Sequence, residues 1–156
     1  MSRVVVNEIQ AKVGNDISFN DAAKIDTLKG KTTAGSISVT GEGGSTTTNL
    51  QQGLAKSWVN FDGSATDAAS RDTFNVSSMA DRGTGLATIT LNSAMSNSNY
   101  AGTTSCMGTN GDDDGRNYIA VAMPKDADEV YVNQFTTSGS AADAGYVAAQ
   151  IMGDLA

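Results

Sequence analysis

Residues 86–92 read LATITLN, and this short run decides the fold class of the chain. Every second side chain is apolar, with Ala87, Ile89 and Leu91 on one side and Thr88, Thr90 and Asn92 on the other. A period of two places one set on a buried face and the other on a wet face of a β-sheet. The run therefore predicts a strand of an antiparallel sheet whose inward side carries Ala87, Ile89 and Leu91.

Six further stretches around this run carry strand patterns. They are residues 57–62 (SWVNFD), 71–76 (RDTFNV), 100–107, 117–123 (NYIAVAM), 129–137 (EVYVNQFTT) and 146–152 (YVAAQIM). Turn-forming Gly, Asn, Asp and Ser separate them at residues 62–64, 81–85, 96–99, 110–115 and 138–140. Short strands at this spacing predict an all-β head, an antiparallel sandwich or barrel.

Alternation also assigns faces in the other strands. Val59 and Phe61 alternate with Trp58 and Asn60. In residues 117–123, Ile119, Val121 and Met123 lie on one side and Tyr118, Ala120 and Ala122 on the other. In residues 129–137, Tyr131 and Phe135 lie opposite Val130 and Val132. In residues 146–152, Val147, Ala149 and Ile151 lie opposite Tyr146, Ala148 and Gln150. Several strands are apolar on both sides, so we expect a second surface to be covered by another sheet or another copy of the chain.

The chain divides into three segments. Residues 1–21 hold two short apolar clusters separated by a turn, and residues 57–156 form the head. Between them, residues 22–56 are thin in large apolar side chains: Ile25, Leu28, Ile37, Val39, Leu50 and Leu54. Burial of six such side chains cannot offset the conformational entropy lost when the segment becomes ordered. The segment is therefore predicted to be flexible or to pack against something else. One helix is predicted over residues 49–56, with Asn49 as its N-cap.

Composition excludes several classes of function. The chain has 156 residues, no histidine, one cysteine and a net charge of −7. These values exclude a histidine-dependent triad and an intrachain disulfide, and they argue against zinc sites and nucleic-acid binding. The chain contains no apolar run long enough to span a membrane. Polar residues follow after three apolar ones in residues 4–8 (VVVNE), so we expect no cleaved secretion signal. We expect no cofactor.

One acidic loop resembles a calcium ligand set. Asn110, Asp112 and Asp114 occupy positions 1, 3 and 5 of an EF-hand loop, with Gly115 at position 6. The match fails at position 12, which is Val121 instead of a bidentate glutamate. A solvated hairpin turn and no metal is the expectation, and a loose calcium or magnesium site is the alternative.

Two other sets of side chains could carry chemistry. A glycosidase needs two carboxylates about 5 to 9.5 Å apart, and no spacing singles out a pair among the acids of the loops and strand ends. Five aromatic residues could form a sugar-stacking platform or could fill the core or an interface: Trp58, Tyr100, Tyr118, Tyr131 and Tyr146. Cys106 is expected to be a small buried hydrophobe. We expect no enzymatic activity.

Several stretches resemble tail-fibre-like proteins of marine bacteriophages. They are residues 43–63 (GGSTTTNLQQGLAKSWVNFDG), 71–78 (RDTFNVSS), 81–85 (DRGTG) and 89–100 (ITLNSAMSNSNY). The opening at residues 4–19 (VVVNEIQAKVGNDISF) is also similar to the start of such proteins. The resemblance covers most of the chain, but its motifs are structural and identify no ligand.

The resemblance implies a homotrimeric virion protein. Residues 1–21 would be its N-terminal attachment segment, residues 22–56 a short β-rich stem shared between the chains, and residues 57–156 the exposed head. Attachment to other virion proteins and trimer contacts would then involve Val4, Val6, Ile9, Ile17, Phe19, Ile37 and Val39. Multivalent binding to a host surface glycan or protein would fall to the loops of the head, with Asn110, Asp112, Asp113, Asp114 and Arg116 as candidate contacts.

Three other functions remain open. The first is a capsid or neck decoration protein with an architectural role and no receptor. The second is a carbohydrate-cleaving domain, and the third is a free, monomeric β-sandwich lectin.

Overall fold

In the residues that the structure describes, the head consists of two four-stranded antiparallel sheets packed face to face. The computed structural model describes residues 25–30, 37–108 and 117–156. Sheet one has the strand order β4 (Ser70–Phe74), β3 (Ala55–Phe61), β10 (Tyr146–Met152), β7 (Ala101–Met107). Sheet two has the order β5 (Val76–Asp81), β6 (Leu86–Leu91), β9 (Glu129–Thr136), β8 (Tyr118–Pro124). This architecture confirms the prediction of an all-β, antiparallel, sandwich-like head.

A short hairpin and a one-turn helix precede the sandwich. In chain order the elements are β1 (Ser38–Thr40), β2 (Thr47–Asn49), α1 (Leu50–Gly53), β3 (Ala55–Phe61), β4 (Ser70–Phe74), β5 (Val76–Asp81), β6 (Leu86–Leu91), β7 (Ala101–Met107), β8 (Tyr118–Pro124), β9 (Glu129–Thr136) and β10 (Tyr146–Met152). Asn49 caps α1 as predicted, because its side chain accepts from the N–H groups of Gln51 and Gln52. The helix ends early, since Leu54 is already extended and β3 begins at Ala55.

The inward faces follow the alternation in most strands. Buried apolar side chains come from both sheets and include Val59, Phe61, Ala87, Ile89, Leu91, Val130, Val132, Val147, Ala149 and Ile151. Thr88, predicted on the wet face, is buried as well. The reason is local: the Arg82 guanidinium donates to the Thr88 hydroxyl at 3.2 Å, and Tyr131 stands opposite Thr88 on β9.

Strand β8 turns its larger side chains outward. Tyr118, Ala120 and Ala122 pack against the core, while the alternate residues of the strand are exposed. The cause is a close approach between β7 and β8, the edge strands that close one side of the sandwich. A Cβ atom on Gly102 would lie 2.6 Å from Cβ of Ala122, so only small residues fit between the two strands.

The predicted strand over residues 71–76 is two strands in different sheets. β4 ends at Phe74 in sheet one, and β5 begins at Val76 in sheet two. Asn75 between them has φ of 57°, a left-handed conformation that asparagine tolerates better than most residues. Its side chain donates to the carbonyls of Lys56 and Ser93 and accepts from the N–H of Ser93, which fixes the bend.

Gln134 of β9 holds together three loops at one end of the sandwich. Its side chain is buried, and Oε1 accepts from the N–H of Ala144 at 2.9 Å. The Ala144 carbonyl accepts from the N–H of Gly63, also at 2.9 Å. The Gln134 N–H donates to the carbonyl of Gly85, where φ is +76° and a Cβ would lie 2.5 Å from the Gln134 carbonyl oxygen.

The segment before the head buries little. Ile25, Leu28 and Val39 are 58%, 57% and 50% exposed, and β1 is exposed throughout. The glycine-containing stretch over residues 41–46 forms the turn between β1 and β2. A single copy of the chain therefore gives the described part of this segment a hairpin but leaves Ile25, Leu28 and Val39 open.

Candidate functional site

Many of the predicted contact residues lie outside the described part of the chain. These are Val4, Val6, Ile9, Ile17 and Phe19 of the attachment segment, and Asn110, Asp112, Asp113, Asp114 and Arg116 of the acidic loop. Ile37 and Val39 are described. Ile37 is half-buried and its carbonyl accepts from the N–H of Leu50, whereas the Val39 side chain is half exposed.

The structure brings two of the five candidate platform aromatics to one surface. Trp58 on β3 and Tyr146 on β10 both point outward from sheet one and are 37% and 40% exposed. Tyr131 lies on the outer face of sheet two, Tyr118 packs against the core, and Tyr100 is buried.

Tyr146 is held by an arginine from the edge of sheet one. The Arg71 guanidinium carbon lies 4.2 Å from the centre of the Tyr146 ring, in a cation–π arrangement. Arg71 also donates to the Asp62 carboxylate at 3.0 Å and to the Gly145 carbonyl at 2.7 Å. These bonds span β4, β3 and the start of β10, so the ring has a fixed place on the surface.

Two open depressions meet on this surface between the aromatic residues. One, of about 370 Å³, is bordered by Tyr146, and the other, of about 480 Å³, is bordered by Trp58. Both are lined by Asn60, Ser105 and Ala148. We call this surface the Trp58–Tyr146 face and define it by Trp58, Asn60, Ser105, Tyr146, Ala148 and Gln150.

The outer face of sheet two has a different chemistry. Ile119, Val121 and Met123 on β8 are 48%, 42% and 40% exposed, and we call these three residues the β8 patch. Their neighbours across the strand pair are Phe135, Asn133 and Tyr131. The sequence carries the signal for this surface as apolar residues on both sides of residues 117–123.

A third depression lies where α1 joins the head. Its volume is about 680 Å³, and three exposed apolar side chains border it: Leu54, Phe74 and Leu155. The Lys56 ammonium at its wall donates to the carbonyls of Gln51 and Leu54 and so ties the helix to β3.

Several described carboxylates of the head serve turns and ion pairs. Asp81 accepts from the N–H of Gly83, and Asp62 accepts from the N–H of Ser64 as well as from Arg71. Asp126 accepts from the N–H groups of Asp128 and Glu129. A hydrogen bond between the carboxyl groups of Asp126 and Asp128 lowers the pKa of Asp126 and raises the pKa of Asp128.

Cys106 is half-buried on β7 and packs against the core. Burial raises the pKa of its thiol, so the neutral form is favoured over the nucleophilic thiolate.

Tyr100 serves the packing of the head. Its hydroxyl lies 3.0 Å from the Asp126 carbonyl and 2.8 Å from the Glu129 carbonyl, between which it shares its proton. Burial, aided by the nearby Asp126 carboxylate, raises the pKa of Tyr100 to about 12 from 10.0. A group whose pKa is raised on folding stabilises the folded state below its unfolded pKa and loses that effect as the pH rises.

We therefore expect alkaline destabilisation that depends on Tyr100. The free energy of unfolding of the wild type should fall between about pH 10 and pH 12, because the unfolded chain ionises Tyr100 more readily than the folded one. Tyr100→Phe should be less stable at pH 8 but should lack this part of the fall. Urea unfolding at a series of pH values measures the gap between the two proteins, and a gap that stays constant to pH 12 would contradict this assignment.

Within the described residues, no group of three or more cysteine, aspartate or glutamate side chains is placed to hold a metal ion. The helical part of the same residues includes no segment long and apolar enough to cross a membrane. Comparison with family models, with curated proteins and with solved structures finds no match to this chain.

Proposed function

We propose that this chain is a bacteriophage virion protein, a non-enzymatic homotrimer that attaches to the host surface by multivalent contacts. The sequence resemblance supports the virion assignment, and the all-β sandwich is compatible with it. The structural observation that carries the oligomeric part is the β8 patch, an aliphatic surface that a single copy leaves open.

The composition around the β8 patch favours another protein surface as its cover. Large exposed apolar patches mark interaction sites in soluble proteins, and interface centres are depleted in charge while their rims are polar. The patch and its neighbours Phe135, Asn133 and Tyr131 carry no charge. The charged side chains Lys125, Glu129 and Arg82 lie at one end of it, joined in ion pairs.

A second copy of the chain is the occupant that also accounts for the exposed segment before the head. Ile25, Leu28 and Val39 need partners that the head of the same copy does not supply. Neighbouring copies would cover both surfaces in one assembly. Three identical sites on such a unit raise avidity by about 10² to 10⁴ where they engage together, which makes weak individual sites sufficient for attachment.

Light scattering of the purified chain tests this proposal. The wild type should have three times the mass of one chain at micromolar concentration. Val121→Glu places a charge at the centre of the β8 patch and should yield a folded monomer, because an interface cannot bury that charge unpaired. Thr103→Glu adds the same charge on the outer face of sheet one and should remain trimeric.

A compact wild-type monomer that melts cooperatively at micromolar concentration would contradict the proposal. So would a Val121→Glu protein that stays trimeric. Electron microscopy of particles carrying a tagged chain separates the attachment role from a decoration role: a few copies around a tail fit the first, and a number sufficient to cover the shell fits the second.

A further inference from the structure

We propose that the Trp58–Tyr146 face binds a neutral oligosaccharide. This inference rests on the proposed attachment function and names the class of ligand that the attachment would use. Trp58 stands opposite Gln150 on β10, and Tyr146 lies four residues from Gln150 on the same strand. At about 3.3 Å per residue, the two rings mark a span of about 13 Å along the sheet, which suits a chain of several sugars rather than a single ring.

The two aromatic side chains supply the apolar part of the site. An aromatic ring stacks on the C–H face of a sugar while its polar tip remains in water. Tyr146 is ready for this role because Arg71 fixes the ring from one side. Phe74, which pairs with Trp58 across β3 and β4 and is 52% exposed, widens the platform at the other end.

Hydrogen-bonding groups without internal partners lie between the rings. Among the described residues, the side chains of Gln150, Thr103 and Ser105 have no hydrogen-bond partner. The carboxamide oxygen of Asn60 accepts one long hydrogen bond from the Arg71 guanidinium, at 3.5 Å. Amides and hydroxyls of this kind match the hydroxyl groups of a sugar, and Ala148 keeps the floor low enough for a ligand to reach them.

The charge of the face favours a neutral sugar over an acidic one. Arg71 is the cation beside the rings, and it is already bonded to Asp62 at 3.0 Å. Asp72 on β4 stands opposite Asn60 of β3 and adds an exposed carboxylate to the face. An anionic glycan would meet these carboxylates and a chain of net charge −7 with no free cation on the described part of the face.

The contrast with the outer face of sheet two argues against a protein ligand here. The β8 patch is aliphatic, whereas the Trp58–Tyr146 face has no exposed leucine, isoleucine or valine among its defining residues. Its aromatic rings alternate with unpaired polar groups that a protein surface would have to satisfy one by one on burial.

The single tryptophan of the chain is part of the site, so its fluorescence reports on binding directly. The wild-type protein is titrated with short soluble oligosaccharides of glucose, galactose, mannose and N-acetylglucosamine. We expect at least one of them to shift or quench the Trp58 emission. Tyr146→Ala should weaken that oligosaccharide about tenfold or more, as loss of an aromatic hot spot does, and Gln150→Ala should weaken it severalfold. Both variants keep the Trp58 reporter.

Ser78→Ala, on the exposed edge strand of the other sheet, is the matched control and should bind as the wild type does. Each oligosaccharide occupies one site, so the titration does not depend on trimerisation. A monomer that binds the sugar would contradict the proposed trimer but not the sugar site. A trimer that binds no sugar would contradict the sugar site but not the trimer. An emission unchanged by every oligosaccharide, or equal binding by Tyr146→Ala, would show the inference to be wrong. Loss of a host protein's binding in Trp58→Ala, without any sugar effect, would identify a protein-docking face instead.

Discussion

Gly102→Ala is expected to lower the free energy of unfolding of the head by about 2 kcal/mol, within the usual range for inserting a methyl group into a tightly packed site. The added Cβ would lie 2.6 Å from Cβ of Ala122 and 3.3 Å from Cδ1 of Ile151. The first of these atoms cannot turn away as the end of a long side chain can, so β7 and β8 must move apart. Urea unfolding of the purified variant measures the effect.

Two further variants separate this cause from a general cost of adding a side chain. Gly43→Ala adds the same methyl group where nothing lies within 4 Å, and its effect should stay within about 0.5 kcal/mol. Gly102→Ala combined with Ala122→Gly restores the space between the strands, so the double variant should be more stable than the sum of the two single effects by about 1 kcal/mol. Purely additive effects would show that Gly102 is not needed for the approach of β7 to β8.

This approach is also where reasoning from the sequence reaches its limit. Alternation predicted the inward faces of β6, β3 and β10 correctly, because in each of them one set of side chains is clearly the more apolar. In β8 both sets are apolar, so alternation cannot choose between them. The choice depends on how near β7 lies, which is a tertiary fact, and the small set of Ala120 and Ala122 faces inward for that reason.

The break at Asn75 shows a second limit. Residues 71–76 have the alternation of one strand, and only the conformation of Asn75 divides them between sheets. Asparagine is among the residues that tolerate a positive φ, so the signal is present. It does not single out this position, because the chain has many asparagines and the others in the described residues have a negative φ. The sequence does not predict β5 as a strand of its own for a different reason, because its exposed Ser77 and Ser78 resemble a loop.

The sequence predicts the types of residue in the candidate site, but it does not predict which of these residues come together. The sequence offers five candidate platform aromatics spread along the head, and only strand order decides which of them share a surface. β3 and β10 are far apart in the chain but adjacent in sheet one, which places Trp58 and Tyr146 on one face. The role of Arg71 likewise depends on bonds that span three strands.

The two outer faces of the sandwich have complementary roles in the proposed function. The β8 patch is aliphatic and would hold copies together, while the Trp58–Tyr146 face combines rings with free polar groups and would contact the host. Because they lie on opposite sheets, assembly through one leaves the other open. This arrangement permits several weak sugar sites to act at once, which the avidity of a trimer requires.

The loops at one end of the sandwich depend on Gln134, and Gln134→Leu is expected to lower the free energy of unfolding by about 2 kcal/mol, the typical cost of a buried polar group left without its partner. Leucine has a similar size but cannot accept the hydrogen bond from the N–H of Ala144, now made at 2.9 Å. The loss should spread to the loop of Gly63, whose N–H donates to the Ala144 carbonyl.

Gln150→Leu is the matched control because it changes the same residue type on an exposed site of β10, and its effect should stay within about 0.5 kcal/mol. Hydrogen exchange adds the location of the effect. In Gln134→Leu the amides of Ala144 and Gly63 should exchange faster than in the wild type, since local opening releases them before the sheets separate. Faster exchange at these two amides, with the amides of the sheets still protected, would locate the contribution of Gln134 at this end of the sandwich. Unchanged protection of both amides together with unchanged stability would show that the Gln134 side chain does not hold these loops.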